Sequence, residues 1–235
     1  MMIAGATRAD TVLWYNGDFN LFSATANELN TTVTDARVYD NFTVTAAHGW
    51  MIDRIWSNNL MNFGGVTLAE WTIRSGVSSG NGGSVVASGV GSAMQVATGR
   101  LFQDYSEYTI AIDGLNIKLG AGTYWLQVTP IGSGNGRSLN SSTLGLNAVG
   151  NPAGNDNNVF FTSNFFGPEF FLLLDSGNAQ PTNDVSMGVA GMVNVSSVPE
   201  LGSGTMALVG LSLVGMIGAR GSAYRRSRVD ARGTH

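Results

Sequence analysis

Two stretches of this chain concentrate oxygen donors at close spacing: Asn155-Asp156-Asn157-Asn158, and Asp175 with Asn178, Asn183 and Asp184. Loop carboxylates and side-chain amides are the ligands Ca²⁺ gathers, six to eight oxygens at a time. The residue types therefore mark Asp156, Asp175 and Asp184 as candidate calcium ligands. The same residues are what tight turns require, because Asn and Asp bond their own backbone and tolerate left-handed conformations. Both readings stay open at this point: a structural calcium, or turns alone.

Other residues offer other chemistry. Two carboxylates facing each other across a groove can hydrolyse glycosides, and Asp40, Glu70, Asp104, Glu107 and Asp113 are the candidates. Asp113 precedes Gly114 and reads as a turn former. A nucleophile–base–orienter triad would have to use His48, the single histidine before the C-terminal residue. His48 sits in a loop-like stretch ahead of Trp50, and no Gly-x-Ser-x-Gly elbow accompanies it. Cysteine is absent, which removes disulfides, thiol nucleophiles and thiolate metal sites together. The expectation is a protein that is not an enzyme. Among the five tryptophans, Trp125 stands out. In Thr123-Tyr124-Trp125-Leu126-Gln127-Val128 the core parity belongs to Tyr124, Leu126 and Val128, which turns Trp125 toward Thr123 and Gln127. It is the candidate glycan contact, with packing against another element as the alternative; Trp71 shares parity with Ile73 and reads as core.

The elements that must position these residues are strands. Charged residues make up only 12% of the chain and glycine contributes 32 of 235 positions, a composition suited to short strands and tight turns. Period-two alternation recurs: Val38, Phe42 and Val44; Ala69, Trp71 and Ile73; Tyr108, Ile110 and Ile112; Leu115, Ile117 and Leu119; Val185, Met187, Val189, Gly191 and Val193. Phe170 to Leu174 is apolar on both faces and predicts a central strand. SSGNGGS at 78–84, GSGNGR at 132–137, GNPAGNDNN at 150–158 and DSGNAQPTND at 175–184 separate the runs. No Gly-x-Gly-x-x-Gly opens a helix after a strand, and no fixed-period repeat occurs, which excludes nucleotide folds and solenoids. The prediction is an all-β chain, an antiparallel β-sandwich of jelly-roll type over 11–195, followed by one C-terminal transmembrane helix.

Charge is distributed unevenly. The first 200 residues hold fifteen acids against seven bases, while the remainder holds one acid and five arginines. So acidic a body repels phosphate backbones, and no nucleic-acid partner is expected. Leu201 to Ala219 contains no charge across 19 residues, about 28 Å as a helix against a hydrocarbon core of roughly 30 Å. The predicted organisation is a linker at 196–204, a membrane helix at 205–219 and a basic tail at 220–235. Arg220, Arg225, Arg226 and Arg228 form the membrane-side anchor, cytoplasmic by the positive-inside rule, with the sandwich outside. At the other end, Thr7-Arg8-Ala9 before Asp10 resembles the end of a cleavage site, so residues 1–10 are expected to be the remnant of a leader whose start lies upstream.

Val198-Pro199-Glu200, the Gly/Ser spacer, the apolar run and the arginine cluster together resemble the PEP-CTERM sorting signal over about residues 198–228. Leu201 stands where that family's second proline belongs, the spacer Gly202-Ser203-Gly204 is slightly long, and the tail runs on past Arg228 to His235. The resemblance implies export in a bacterium that makes exopolysaccharide, processing near Val198, Pro199 and Glu200 by an exosortase-like enzyme, and a place at the cell surface or in the extracellular matrix. A structural or adhesive, glycan-associated module is the expected function. The alternatives are a carbohydrate-binding module or glycan-active enzyme of that matrix, and a permanently anchored envelope protein.

Overall fold

The computed structural model describes residues 11–30, 32–132, 135–154, 156–173 and 184–194. Sixteen strands lie among them, and no α-helix does. Nine form one sheet: β1 (Thr11–Tyr15), β2 (Phe19–Ala26), β5 (Trp50–Met61), β8 (Met94–Phe102), β9 (Tyr105–Ile112), β10 (Ile117–Leu119), β12 (Ser138–Thr143), β15 (Asp184–Val185) and β16 (Met187–Val193). Seven form the other: β3 (Glu28–Leu29), β4 (Asp35–Val44), β6 (Leu68–Ser75), β7 (Ser84–Ser92), β11 (Gly122–Pro130), β13 (Phe160–Ser163) and β14 (Gly167–Leu172). Every strand pairing is antiparallel.

Strand β5 anchors the first sheet. Its residues pair β16 and β12, and also β10 and β9. In the second sheet the order β14-β13-β4-β11-β6-β7 leaves β7 and β14 at the edges. The chain crosses between sheets at Asn27, from β2 to β3, and again at Ala93, from β7 to β8.

Alternation explains the shared core. Val38, Phe42, Val44, Ala69, Trp71, Ile73, Leu126 and Val128 come from the second sheet. They meet Trp14, Trp50, Ile52, Ile55, Ile110, Ile112, Met187 and Val189 from the first. Two apolar faces that each point inward must bury against one another, which gives a sandwich-like all-β body. The predicted face of the last strand holds for Val185, Met187 and Val189 and then fails: the register shifts between Ala190 and Gly191, leaving Val193 43% exposed.

Strand β14 corrects another expectation. Among the described residues it pairs only with β13, at the edge of its sheet rather than the centre. Its two apolar faces have a different cause. Phe171 packs on the main core, while Phe170 and Leu172 join Tyr39, Val77, Trp125 and Phe160 in a second cluster on the outer face of the sheet. The 76–83 turn closes over that cluster, with Gly80 N–H donating to the Phe170 carbonyl at 2.6 Å. The predicted linker at 196–204, membrane helix at 205–219, basic tail and leader lie outside the described residues, and no described helix is long and apolar enough to cross a membrane.

Candidate metal centre

Strand β4 carries the first carboxylate. Its inward positions are Ala36, Val38, Phe42 and Val44, so Asp40 falls on the apolar face. Pairing with β13 ends at Tyr39. Beyond it the 150–158 loop runs alongside, with Thr43 N–H donating to the Asn151 carbonyl at 2.7 Å. That loop delivers Asp156. The first residue of β15 delivers Asp184, in register with Thr143.

The three carboxylates converge. One oxygen from each of Asp40, Asp156 and Asp184 lies within 4.8 Å of the others. Asp40 and Asp184 are fully buried, whereas Asp156 is exposed. Asp40 Oδ2 accepts from Asn16 Nδ2 at 2.6 Å and from Val185 N–H at 2.9 Å, and its Oδ1 accepts from Asn41 N–H at 2.8 Å. Asp184 accepts from the N–H groups of Asp156 and Asn157 at 2.6 and 2.8 Å. Asp156 Oδ2 accepts from Asn41 Nδ2 at 2.9 Å. Burial pushes the Asp40 carboxyl well above the usual range and the neighbouring Asp184 charge pushes it further. Asp156 adds to this, while the Val185 and Asn41 N–H groups act in the opposite direction.

The turn reading and the clustering of the stretch's acids coexist here. Asn157 adopts a positive φ of 58° as a turn former does, and Asp156 and Asp184, predicted as ligands, are brought together. The third predicted ligand, Asp175, lies outside the described residues, and Asp40 stands in the cluster. Two amide oxygens at this centre, Asn16 Oδ1 and Asn41 Oδ1, are buried without a hydrogen-bond partner. In the sequence Asp40 is a candidate for glycoside chemistry, and nothing there singles out Asn16 or Asn41. An acid at core parity between Val38 and Phe42 was the available signal.

Three of the remaining carboxylate candidates sit in ion pairs. Glu70 meets Arg37 at 2.6 Å, Glu107 meets Arg100 at 2.5 Å and Asp113 meets Arg54 at 3.3 Å. Asp104 is exposed in the turn between β8 and β9. His48 is exposed in the loop before β5. Trp125 does face away from the main core, as its parity predicts. It is only 8% exposed there, edge-on to Phe160 with a ring separation of 6.4 Å, and its Nε1–H donates to the Asn158 carbonyl. Of the two readings of Trp125, burial corrects glycan contact to packing, since little ring surface is left for a sugar. Among the described residues the most exposed aromatic rings are Phe165 and Phe166, 75% and 70% exposed at the β13–β14 turn and edge-to-face at 4.8 Å, ahead of Phe22 in β2. Val198, Pro199, Glu200, Arg220, Arg225, Arg226 and Arg228 lie outside the described residues.

Comparison with protein-family models, with curated proteins and with solved structures returns no match.

Proposed function

We propose that the chain is an exported, non-enzymatic module of the bacterial cell surface or extracellular matrix, a sandwich of jelly-roll type held by one C-terminal membrane helix until a sorting enzyme releases it. The observation that carries this reading is the order of parts in residues 198–228: Val198-Pro199-Glu200, a short Gly/Ser spacer, an uncharged apolar run, then the arginines. A structural role is supported by the ion pairs of Glu70, Glu107 and Asp113, which tie up three of the carboxylates considered for hydrolysis. The low charge and abundant amide and hydroxyl groups suit a hydrated polysaccharide surrounding. Mass spectrometry of the mature C-terminus tests the reading. A terminus near Glu200 is expected; an intact His235 means permanent anchoring, the envelope-protein alternative favoured by Leu201.

A second reading rests on Phe165 and Phe166. Exposed rings side by side on a hairpin turn offer faces for sugar C–H groups, so a carbohydrate-binding role would run through this turn. Retention of the protein on extracellular polysaccharide, lost in a Phe165→Ala/Phe166→Ala variant with unchanged melting temperature, is the expected result for that role.

A further inference from the structure

We propose that Asp40, Asp156 and Asp184, with the amide oxygen of Asn41, form a calcium site that pins the 150–158 loop and the start of β15 onto β4.

Two observations converge on a cation. The carboxylate oxygens lie within 4.8 Å of one another, and two of the three groups are fully buried. Buried acids elsewhere in the sandwich are treated differently: Glu28 meets Arg137 at 2.8 Å and Glu107 meets Arg100 at 2.5 Å. The donors on Asp40, by contrast, are the neutral N–H groups of Asn16, Val185 and Asn41. A fully buried Asp40 carboxylate close to two further carboxylates wants either a proton or a counter-ion. The second, independent observation is the pair of orphan acceptors. Asn41 is 5% exposed and Asn16 is fully buried, yet Oδ1 of each has no partner. Their amide nitrogens touch Asp156 and Asp40, so both amides border the centre. A buried acceptor without a donor is costly, and a cation removes that cost for several acceptors at once.

The donor set selects the ion. It is all oxygen, with no imidazole among the three acids and no thiol in the chain. Oxygen-only sites suit hard cations, and a set drawn from carboxylates and amides on a loop suits the flexible coordination of Ca²⁺ better than the strict octahedron of Mg²⁺. Asp156, exposed, provides the way in. Asp40, Asp156 and Asp184 are far apart in sequence, so one ion would cross-link three segments of the folded chain.

The test is isothermal titration of CaCl₂ into the purified full-length chain after chelation, with thermal melts in Ca²⁺, Mg²⁺ and chelator. One Ca²⁺ per chain is expected, with half-saturation on the order of 10⁻⁴ to 10⁻³ M, the range of extracellular calcium modules. The melting temperature should rise by several degrees in Ca²⁺ and less in equal Mg²⁺. Asp156→Asn, at the exposed ligand, should abolish the response while melting in chelator no lower than the parent, and Asp40→Asn should do the same from the buried side. Absence of binding heat, an equal response to Mg²⁺, or an undiminished response in both variants would overturn the site.

Discussion

The backbone N–H of Asp156 donates to Asp184 Oδ2 at 2.6 Å, tying a loop to a strand 28 residues further along the chain. The accepting carboxylate is fully buried, and Asn157 N–H completes its grip at 2.8 Å. One side chain thus satisfies two loop donors while placing a negative charge beside Asp40. The loop geometry and the acidic centre are therefore one feature, and the stability of this corner depends on how the charge is satisfied.

Asn16 is the first place to look. Its Nδ2 bonds both Asp40 Oδ2 and the Val185 carbonyl, at 2.6 and 3.1 Å. Asn16→Ala strips both and leaves buried acceptors behind, at a cost of about 2 kcal/mol. Urea denaturation should show a lower midpoint with an unchanged slope.

Arginines that look alike in sequence should differ in effect. Arg100 neutralises Glu107, whose side chain is fully buried, whereas Arg37 and Glu70 are each more than a quarter exposed. Arg100→Met should cost about 2–3 kcal/mol, because an uncompensated carboxylate stays inside. Arg37→Met should cost under about 1 kcal/mol. Paired chemical denaturation of the two variants checks the ratio.

Gly188 lies against an aromatic ring. A Cβ there would come 2.1 Å from Trp56 Cζ2, whereas one at Gly64 meets nothing within 4 Å. Gly188→Ala should destabilise by about 1–3 kcal/mol through overpacking, and Gly64→Ala by no more than about 0.5 kcal/mol. Thermal melts of the two variants separate them.

Asp18 sets a pH dependence. Partial burial works to raise its carboxyl, but hydrogen bonds from Tyr15 and Asn147 and the charge of Arg100 outweigh it and hold it below the usual range. A depressed folded-state value means stability that is present above about pH 4, the unfolded range, and is lost as pH falls through the folded value. Asp18→Asn should flatten that acid limb of the stability curve while leaving the shape above pH 5 unchanged, as read by denaturation at stepped pH.

The period-two pattern carried much of the fold. Phe42, Ile73, Ile110 and Leu126 are all buried where alternation put them, because a strand offers each side chain only two directions. Strand β14 was misplaced for a reason alternation cannot express: an edge strand is apolar on both faces when a separate loop covers its outer side. Alternation left Trp125 open between glycan contact and packing for the same reason, since the cover comes from β13 and its neighbours, distant in sequence. At the acidic centre, loop composition gave Asp156 and Asp184. Asp40 needed knowledge of which loop lies along the open edge of β4, a tertiary fact, although its inward parity was already visible.

Delivery of the sandwich to the outside of the cell is the claim on which the proposed function rests, and protease accessibility in intact expressing cells tests it most directly. The account predicts that residues 11–195 are recovered with the envelope or the medium and are cleaved by externally added protease. A full-length chain ending at His235, recovered in the cytosolic fraction and protected until the cells are lysed, would contradict it.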